Sequence, residues 1–335
     1  MRTVKYDFSL PPGLIAARPA EKRDGSRLLI LHKDGNMEHR KFSDLPSYLA
    51  PGDLLVLNNS KVFPARITAR KPTGGKVEFL LVARNPDGSW GVLSREHYTG
   101  ELVVAEEFSA HMTGGMTVRF GSDADLQAII WKHGQMPLPP YIRRAPDEDD
   151  KQRYQTVYAE AEGSIAAPTA GIHFTHNLLD VIRKRSVQVH MITLHVGTGT
   201  FRPVKADRIA DHIMDEEHFE NPAAVIAEIK EAKKNGRRVI TVGTTTTRTL
   251  EGYFSGRNSC RQVNGIVRGS TDIFIHEGYR FRAADVLITN FHLPKSTPLM
   301  LAAALAGRKK LLHAYQEAIS RGYRFFSYGD AMLVL

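Results

Sequence analysis

Cysteine is nearly absent: Cys260 stands alone in 335 residues. It cannot close an internal disulfide, and with no second thiol it cannot begin a zinc-ribbon or redox CxxC pattern, so a reducing, cytoplasmic setting is expected. Long apolar runs are also missing. The most apolar-rich stretch, residues 299–307, falls well short of the about 18 residues of a membrane span, and no basic start leading into an apolar core opens the chain. The P-loop pattern GxxxxGK[ST] does not occur, which disfavours nucleoside triphosphate hydrolysis. HExxH is absent as well, and His212 and His218 flank an acidic DEE stretch at a spacing that suits no familiar helical ligand pair, so no metal is assigned. Low-complexity tracts and internal repeats are not apparent.

What is present is ordinary for a soluble globular protein: 42% hydrophobic and 24% charged residues. The length suits one large domain or two. A net charge of +9, from 45 basic against 36 acidic residues, favours a polyanionic partner through counterion release. A dispersed, solvated basic surface is the alternative, and the basic residues are spread along the chain.

Two apolar runs, RLLILH at residues 27–32 and DLLVLN at 53–58, read as buried strands, with Pro51-Gly52 starting the second afresh. From about Pro64 to Arg144 short β-favouring runs (KVEFLLVA, SWGVLS, MTVRF) alternate with Gly-rich turn signals, as in a small antiparallel barrel or sandwich. That segment closes with MPLPPYIRR and the acidic run at 147–150, read as a linker or mobile loop. After Tyr154 strands and helices alternate, the pattern of a parallel α/β sheet. One helix, NPAAVIAEIKEAKKNG, shows Asn221 as N-cap, Pro222 at its first position and Gly236 just past its end. The expectation is an α/β protein: a major three-layer α/β domain from 1–62 and 152–335, interrupted by a small antiparallel β-barrel at 63–151.

In open α/β sheets ligands gather where strands end and helices begin. One such junction follows His195-Val196 and reads GTGTFRPV: Gly197 and Gly199 would let a ligand approach the backbone, Thr200 offers a hydroxyl and Arg202 a guanidinium fork. A tight turn with a surface arginine fits the same letters. A second follows Val242-Gly243, where Thr244 to Arg248 could open a helix at an anion or simply cap it. In the third, Asn290, His292, Lys295 and Ser296 crowd between two apolar elements in TNFHLPKSTPLM. Small residues around Thr169, Gly171 and His173 would let a substrate lie on backbone, or would make a tightly packed turn. Asp272 and Glu277 flank DIFIHEGY, where a carboxylate could act as base or remain a surface charge.

Taken together, YDFSLPPGLIAARPAEKRDGSRLLIL, PGDLLVLNNSKVFPARI, TGGKVEFLL, MPLPPYIRR, RYQTVYAEAEGSIAAPTAGIHFT, TLHVGTGTFRPV, VITVGTTTTRTLE, DIFIHEGYRF, LITNFHLPKSTPLMLAAALAG and YRFFSYGDAML resemble, in order, blocks of the S-adenosylmethionine:tRNA ribosyltransferase-isomerase family of queuosine biosynthesis. The resemblance spans nearly the whole chain. It departs at Asn59-Ser60 (usually Asp-Thr), at Thr198 (commonly Leu), at Thr246 and Thr247 (commonly Ser-Val), and in 95–110, which lacks a lysine- and glycine-rich run.

The resemblance implies an α/β domain with an inserted β-barrel. It also implies that S-adenosylmethionine is consumed as a ribosyl donor, no other cofactor being expected. The ribosyl part would pass, isomerised, to 7-aminomethyl-7-deazaguanine in a tRNA anticodon, giving epoxyqueuosine, adenine and methionine. On this reading His173, Asp272 and His292 are the proton-transfer candidates, with Lys295 and Arg202 as electrostatic partners. Substrate contacts are expected from Thr169, Gly171, His195, Gly197, Gly199, Thr200, Arg202, Thr244, Arg248, Asn290 and Ser296. Lys61, Arg66, Arg143 and Arg144 would track tRNA phosphate, and Phe174 or Phe291 would face the sulfonium or pack in the core. The chain is expected to act as a monomer without a membrane partner. An RNA methyltransferase using the same cosubstrate and a non-catalytic RNA-binding protein are the rival readings.

Overall fold

The computed structural model describes residues 1–106, 108–121, 126–197, 199 and 204–335. The first strands are β1 (Arg27–Leu31), β2 (Met37–Lys41), β3 (Leu54–Asn58) and β4 (Ser60–Val62). Six more follow: β5 (Arg66–Arg70), β6 (Lys76–Arg84), β7 (Trp90–Ser94), β8 (Gly100–Val104), β9 (Phe108–Thr113) and β10 (Thr117–Phe120). Helices α1 (Leu126–His133) and α2 (Glu148–Arg153) lead to β11 (Ala161–Ser164), α3 (His176–Lys184), β12 (Gln188–Leu194), β13 (Glu217–Pro222), α4 (Ala223–Lys234), β14 (Val239–Val242) and α5 (Gly243–Ser255). The chain ends with β15 (Arg261–Val263), β16 (Ile266–Thr271), β17 (Val286–Asn290), α6 (Thr297–Ala306), α7 (Arg308–Ser320) and β18 (Ala331–Val334).

Among the described residues the main sheet runs β15-β16-β13-β12-β3-β14-β17-β18-β1-β2. Its centre is parallel: β3 lies between β12 and β14, and β14 beside β17, all in one direction. Every residue of β3 and β17 is buried, as expected of strands covered on both faces. Side-chain alternation splits β1 between the layers. Leu29 and Leu31 pack with α6 and α7 residues such as Met300 and Leu311, while Leu28 and Ile30 pack with Phe42 and the α3 residues Leu178 and Ile182.

Strand–helix alternation predicts a parallel sheet, whereas the observed sheet is mixed. The last strand, β18, returns antiparallel to β17 and parallel to β1, and β13, β16 and β15 add an antiparallel edge. The outermost pair of that edge has a local cause. Asn264 (φ 50°) and Gly265 (φ 75°) both take left-handed backbone between β15 and β16, the geometry of a two-residue hairpin turn for which Asn-Gly is the favoured sequence. Helix α4 also starts one residue later than expected: Pro222 is its N-cap and Ala223 its first residue, while Asn221 is buried in β13. Gly236 (φ 68°) follows its end as predicted.

Strands β5 to β10 close a barrel in the order β10-β7-β6-β5-β8-β9, and every pairing in it is antiparallel. Alternate residues of β6 and β9 point inward and pack with Leu126 and Ile130 of α1. The acidic run after the barrel is not a loose linker. Asp150 is 1% exposed and ties α2 down, accepting from Arg144 at 2.6 and 2.7 Å and from the Tyr328 hydroxyl at 2.7 Å. Burial pushes this carboxyl up, yet the Arg144, Asp147 N–H and Tyr328 hydrogen bonds outweigh it and bring it down to about 2. No helix among the described residues is long and apolar enough to cross a membrane.

Candidate active site

The parallel strands β12, β3, β14 and β17 point their carboxyl ends at one edge of the sheet. Two adjoining cavities open there, and they share Thr244, Thr245 and Pro298 as a common wall. The position is where an open α/β sheet takes ligands.

The first cavity is walled by the blocks PTAG (Pro168, Thr169), TNFH (Asn290, His292) and FFS (Phe326, Ser327), with Tyr141 from the segment after the barrel. Ser296 lines it and also caps α6, accepting from the Leu299 N–H. Phe326 carries left-handed backbone at φ 71° and stacks on Tyr141 with centroids 4.6 Å apart. A bulky residue at positive φ costs energy that the surrounding packing must offset. The Tyr141 hydroxyl meets Ser327 Oγ at 2.5 Å, and burial raises that phenol to about 12, so it stays protonated as a donor.

His292 supplies the imidazole of this cavity. Its Nε2 lies 2.7 Å from Thr289 Oγ1, and its backbone N–H donates to the Tyr315 hydroxyl at 3.0 Å. Burial pushes the imidazole down to about 3, which keeps it neutral at physiological pH. His173, by contrast, sits behind the cavity wall, 4% exposed and stacked on Phe42. Ser26 Oγ is 2.7 Å from its Nδ1, and Asn290 Nδ2 is 3.1 Å from its Nε2. Asn290 Oδ1 in turn accepts from the Thr169 hydroxyl at 3.0 Å. Because the Asn290 amide donates to Nε2, the proton of the neutral ring belongs on Nδ1, donated to Ser26. Burial lowers this imidazole to about 4. His173 therefore holds Asn290 rather than meeting a substrate itself.

The second cavity lies under the first turn of α5 and is lined by Gly199, His212, Asp215, Glu217, Thr245, Arg248 and Phe274 among others. The threonine run divides here. Thr246 and Thr247 turn their hydroxyls back onto the Val242 and Gly243 carbonyls, the local bonding that β-hydroxyl residues make inside helices. Thr244 and Thr245 face the cleft. A Cβ on Gly199 would fall 2.3 Å from Asp215 Oδ2, so a larger residue there would displace this carboxylate.

The cleft thus gathers Thr169, Asn290, His292, Ser296, Thr244, Arg248 and Gly199 from the residues singled out by sequence. Others lie elsewhere. His195 lines a separate surface hollow with His218 and Arg268. A Cβ on Gly171 would strike the Tyr158 hydroxyl at 2.1 Å, so this glycine serves packing. Lys295 pairs with Asp7 at 2.9 Å, Asp272 is exposed, and Gly197 borders neither cavity. Thr198, Thr200 and Arg202 fall outside the described residues. Phe174 is a buried core ring, whereas Phe291, also 0% exposed, lines the first cavity. Sequence reasoning missed Tyr141, Phe326, Ser327, His212 and Phe274 as site residues; most sat in blocks noted for resemblance, without a chemical role attached.

On the proposed tRNA side, Lys61 lies over the Trp131 ring at 4.6 Å, Arg66 pairs with Glu78 at 2.6 Å and Arg144 is committed to Asp150. Arg143 is exposed, with no ion pair among the described residues.

A mixed α/β sheet with a two-chambered cleft at its strand–helix junctions, and a closed barrel set into the chain, defines an α/β enzyme with an inserted barrel. Residues 3–334 match the family described as queuosine biosynthesis protein, and the chain belongs to that family. It is 49% identical to the S-adenosylmethionine:tRNA ribosyltransferase-isomerase of Thermodesulfovibrio yellowstonii over 100% of both chains. The protein of the same name from Moorella thermoacetica is 48% identical, again over 100% of each. A crystal structure of an S-adenosylmethionine tRNA ribosyltransferase from Thermotoga maritima superposes with a TM-score of 0.57 at 36% identity, over 99% of this chain and 100% of that one.

Proposed function

We propose that this protein is a cytoplasmic, monomeric S-adenosylmethionine:tRNA ribosyltransferase-isomerase. It transfers and isomerises the ribosyl moiety of S-adenosylmethionine onto 7-aminomethyl-7-deazaguanine in a tRNA anticodon, forms epoxyqueuosine and releases adenine and methionine. S-adenosylmethionine is consumed as cosubstrate, with no further cofactor. The observation that carries this reading is convergence: PTAG, GTTTTR, TNFHLPKS and RFFS, distant in sequence, wall one cleft within a chain similar throughout to enzymes of that name.

The reaction requires a C5′ hydrogen made acidic by the adjacent sulfonium to be removed, and adenine to leave carrying a proton. His292 is neutral and borders the cavity, so its imidazole is the acceptor of the C5′ proton in this account. A weakly basic imidazole holds that proton only in passing and returns it readily to a more basic leaving nitrogen. Asn290, clamped by His173 and Thr169, presents a fixed amide edge that orients the nucleoside. The attacking tRNA amine must be neutral, which a half-desolvated cleft favours.

Chromatography of products from purified protein, S-adenosylmethionine and tRNA bearing 7-aminomethyl-7-deazaguanine tests the reading. Adenine and methionine together with an enlarged tRNA nucleoside are expected; S-adenosylhomocysteine would establish a methyltransferase instead.

A further inference from the structure

Two polar groups in the second cavity have no hydrogen-bond partner among the described residues, although both belong to buried residues. One is Arg248 Nη2, on a residue 9% exposed, and the other is Thr245 Oγ1, on a residue 8% exposed. The rest of the guanidinium is fixed: Nη1 donates to the Glu217 carboxylate and Nε to the Ile273 carbonyl at 3.3 Å. The remaining N–H edge is therefore held rigid, lining the cavity without an acceptor. Neighbouring threonines of α5 satisfy their hydroxyls on helix carbonyls, and Thr249 does so on the carbonyl of Thr245 itself. Leaving such groups dry and unpaired costs free energy, so they mark where an acceptor from outside the chain belongs. The α5 N-terminus, with its partial positive charge, starts at the same wall.

We propose that this cavity is the seat of an α-amino-acid end, its carboxylate held by Arg248 Nη2, Thr245 Oγ1 and the first turn of α5. The inference rests on the function proposed above and deepens it: the occupant is the methionyl portion of the cosubstrate, with the ribose crossing the shared Thr244–Pro298 wall toward His292. A tRNA phosphate is the other anion that could meet a guanidinium. Charge argues for the amino acid, because Asp215 and Glu217 line the same cavity and complement an α-ammonium, whereas they return only repulsion to a phosphodiester. Burial argues likewise, since Arg248 is only 9% exposed. Apolar walls from Ile273, Ile275 and Leu301 suit the methylenes between the carboxylate and the sulfonium.

The test compares S-adenosylmethionine with its decarboxylated analogue, which keeps the sulfonium and amine but lacks the carboxylate. Binding to the whole protein is measured by calorimetry without tRNA, and adenine release with tRNA. Wild type should bind the analogue about 10- to 100-fold more weakly. Arg248→Met should weaken S-adenosylmethionine by a similar factor and erase the difference between the two ligands, and Thr245→Val should narrow it. Thr245→Val leaves the Arg248–Glu217 pair untouched, and Arg248→Lys keeps a cation beside Glu217, so a misfolded Arg248→Met protein does not remove the test. Equal binding of both ligands by wild type, or discrimination that survives in all three variants, overturns the proposal. So does an Arg248 variant that weakens tRNA while S-adenosylmethionine affinity stays as in wild type. The calorimetric comparison does not depend on the product formed, so it stands even if chromatography shows methyl transfer and overturns the functional reading.

Discussion

His292 and His173 are both kept neutral by burial, yet they serve different ends. His292 borders the cavity with one nitrogen on Thr289. Its replacement by alanine should lower adenine release by at least about 100-fold, in line with a lost general base, while the thermal melt stays near that of wild type; undiminished turnover would remove His292 from the chemistry. His173 acts on stability. Its imidazole titrates near 4 in the folded protein and near 6.5 when unfolded, so between those values the unfolded chain binds a proton that the native state refuses. Stability is then full above pH 6.5 and is lost as pH falls toward 4, by up to about 1.4 kcal/mol per pH unit. Urea titrations at pH 7.5 and 5.0 should show this loss, and His173→Gln should reduce it, leaving the share that the similarly depressed His292 contributes. A slope unchanged in the variant would contradict the assignment. At this scale the sequence was legible where reactive residues lie in one loop, as Asn290, His292 and Ser296 do. It was not legible where a residue's direction depends on a distant partner: Lys295 turns to Asp7, and His195 turns to the far hollow.

Among the elements, α5 matters most, because it opens both cavities. Its position depends on Glu251, a fully buried carboxylate that makes no ion pair among the described residues. Glu251 accepts at 2.9 Å from the Tyr279 hydroxyl and from the N–H groups of Arg282, Ala283 and Ala284. These bonds fasten the loop that precedes β17 to the helix, so one carboxylate sets the spacing between the α5 and α6 sides of the cleft. Glu251→Gln would turn an amide donor toward backbone donors and should cost about 2–3 kcal/mol in urea unfolding; a variant of wild-type stability would show the loop to be held otherwise. Nothing in the order TLEGY distinguishes this glutamate from a surface one, since its partners arrive about thirty residues later. The helices α5, α6 and α7 were legible because caps and apolar runs are local signals, as with Ser296 at the head of α6. The antiparallel edge was not, although the Asn-Gly turn of its outermost pair stood in the sequence.

At the scale of the whole molecule, the barrel is joined to the α/β domain by more than its connecting chain. Trp131 of α1 donates its indole N–H to Glu162 of β11 at 3.1 and 3.2 Å, with Lys61 over the ring, and Tyr141 carries the exit segment into the cleft. The change of texture at the barrel was visible in its alternating short strands. This anchoring was not, because it depends on residues brought together by the fold. Of the basic residues near the junction, Arg143 is exposed without an ion pair among the described residues, and the overall charge is +9. The KM for tRNA should therefore rise steeply with salt between about 50 and 200 mM while that for S-adenosylmethionine changes little; salt-independent tRNA binding would contradict an electrostatic footing. The central claim is that the cleft splits S-adenosylmethionine into a transferred ribosyl group, adenine and methionine. Separating the products formed with 7-aminomethyl-7-deazaguanine tRNA tests it most directly: free adenine in step with an enlarged tRNA nucleoside is the predicted result, and S-adenosylhomocysteine with no adenine would contradict it.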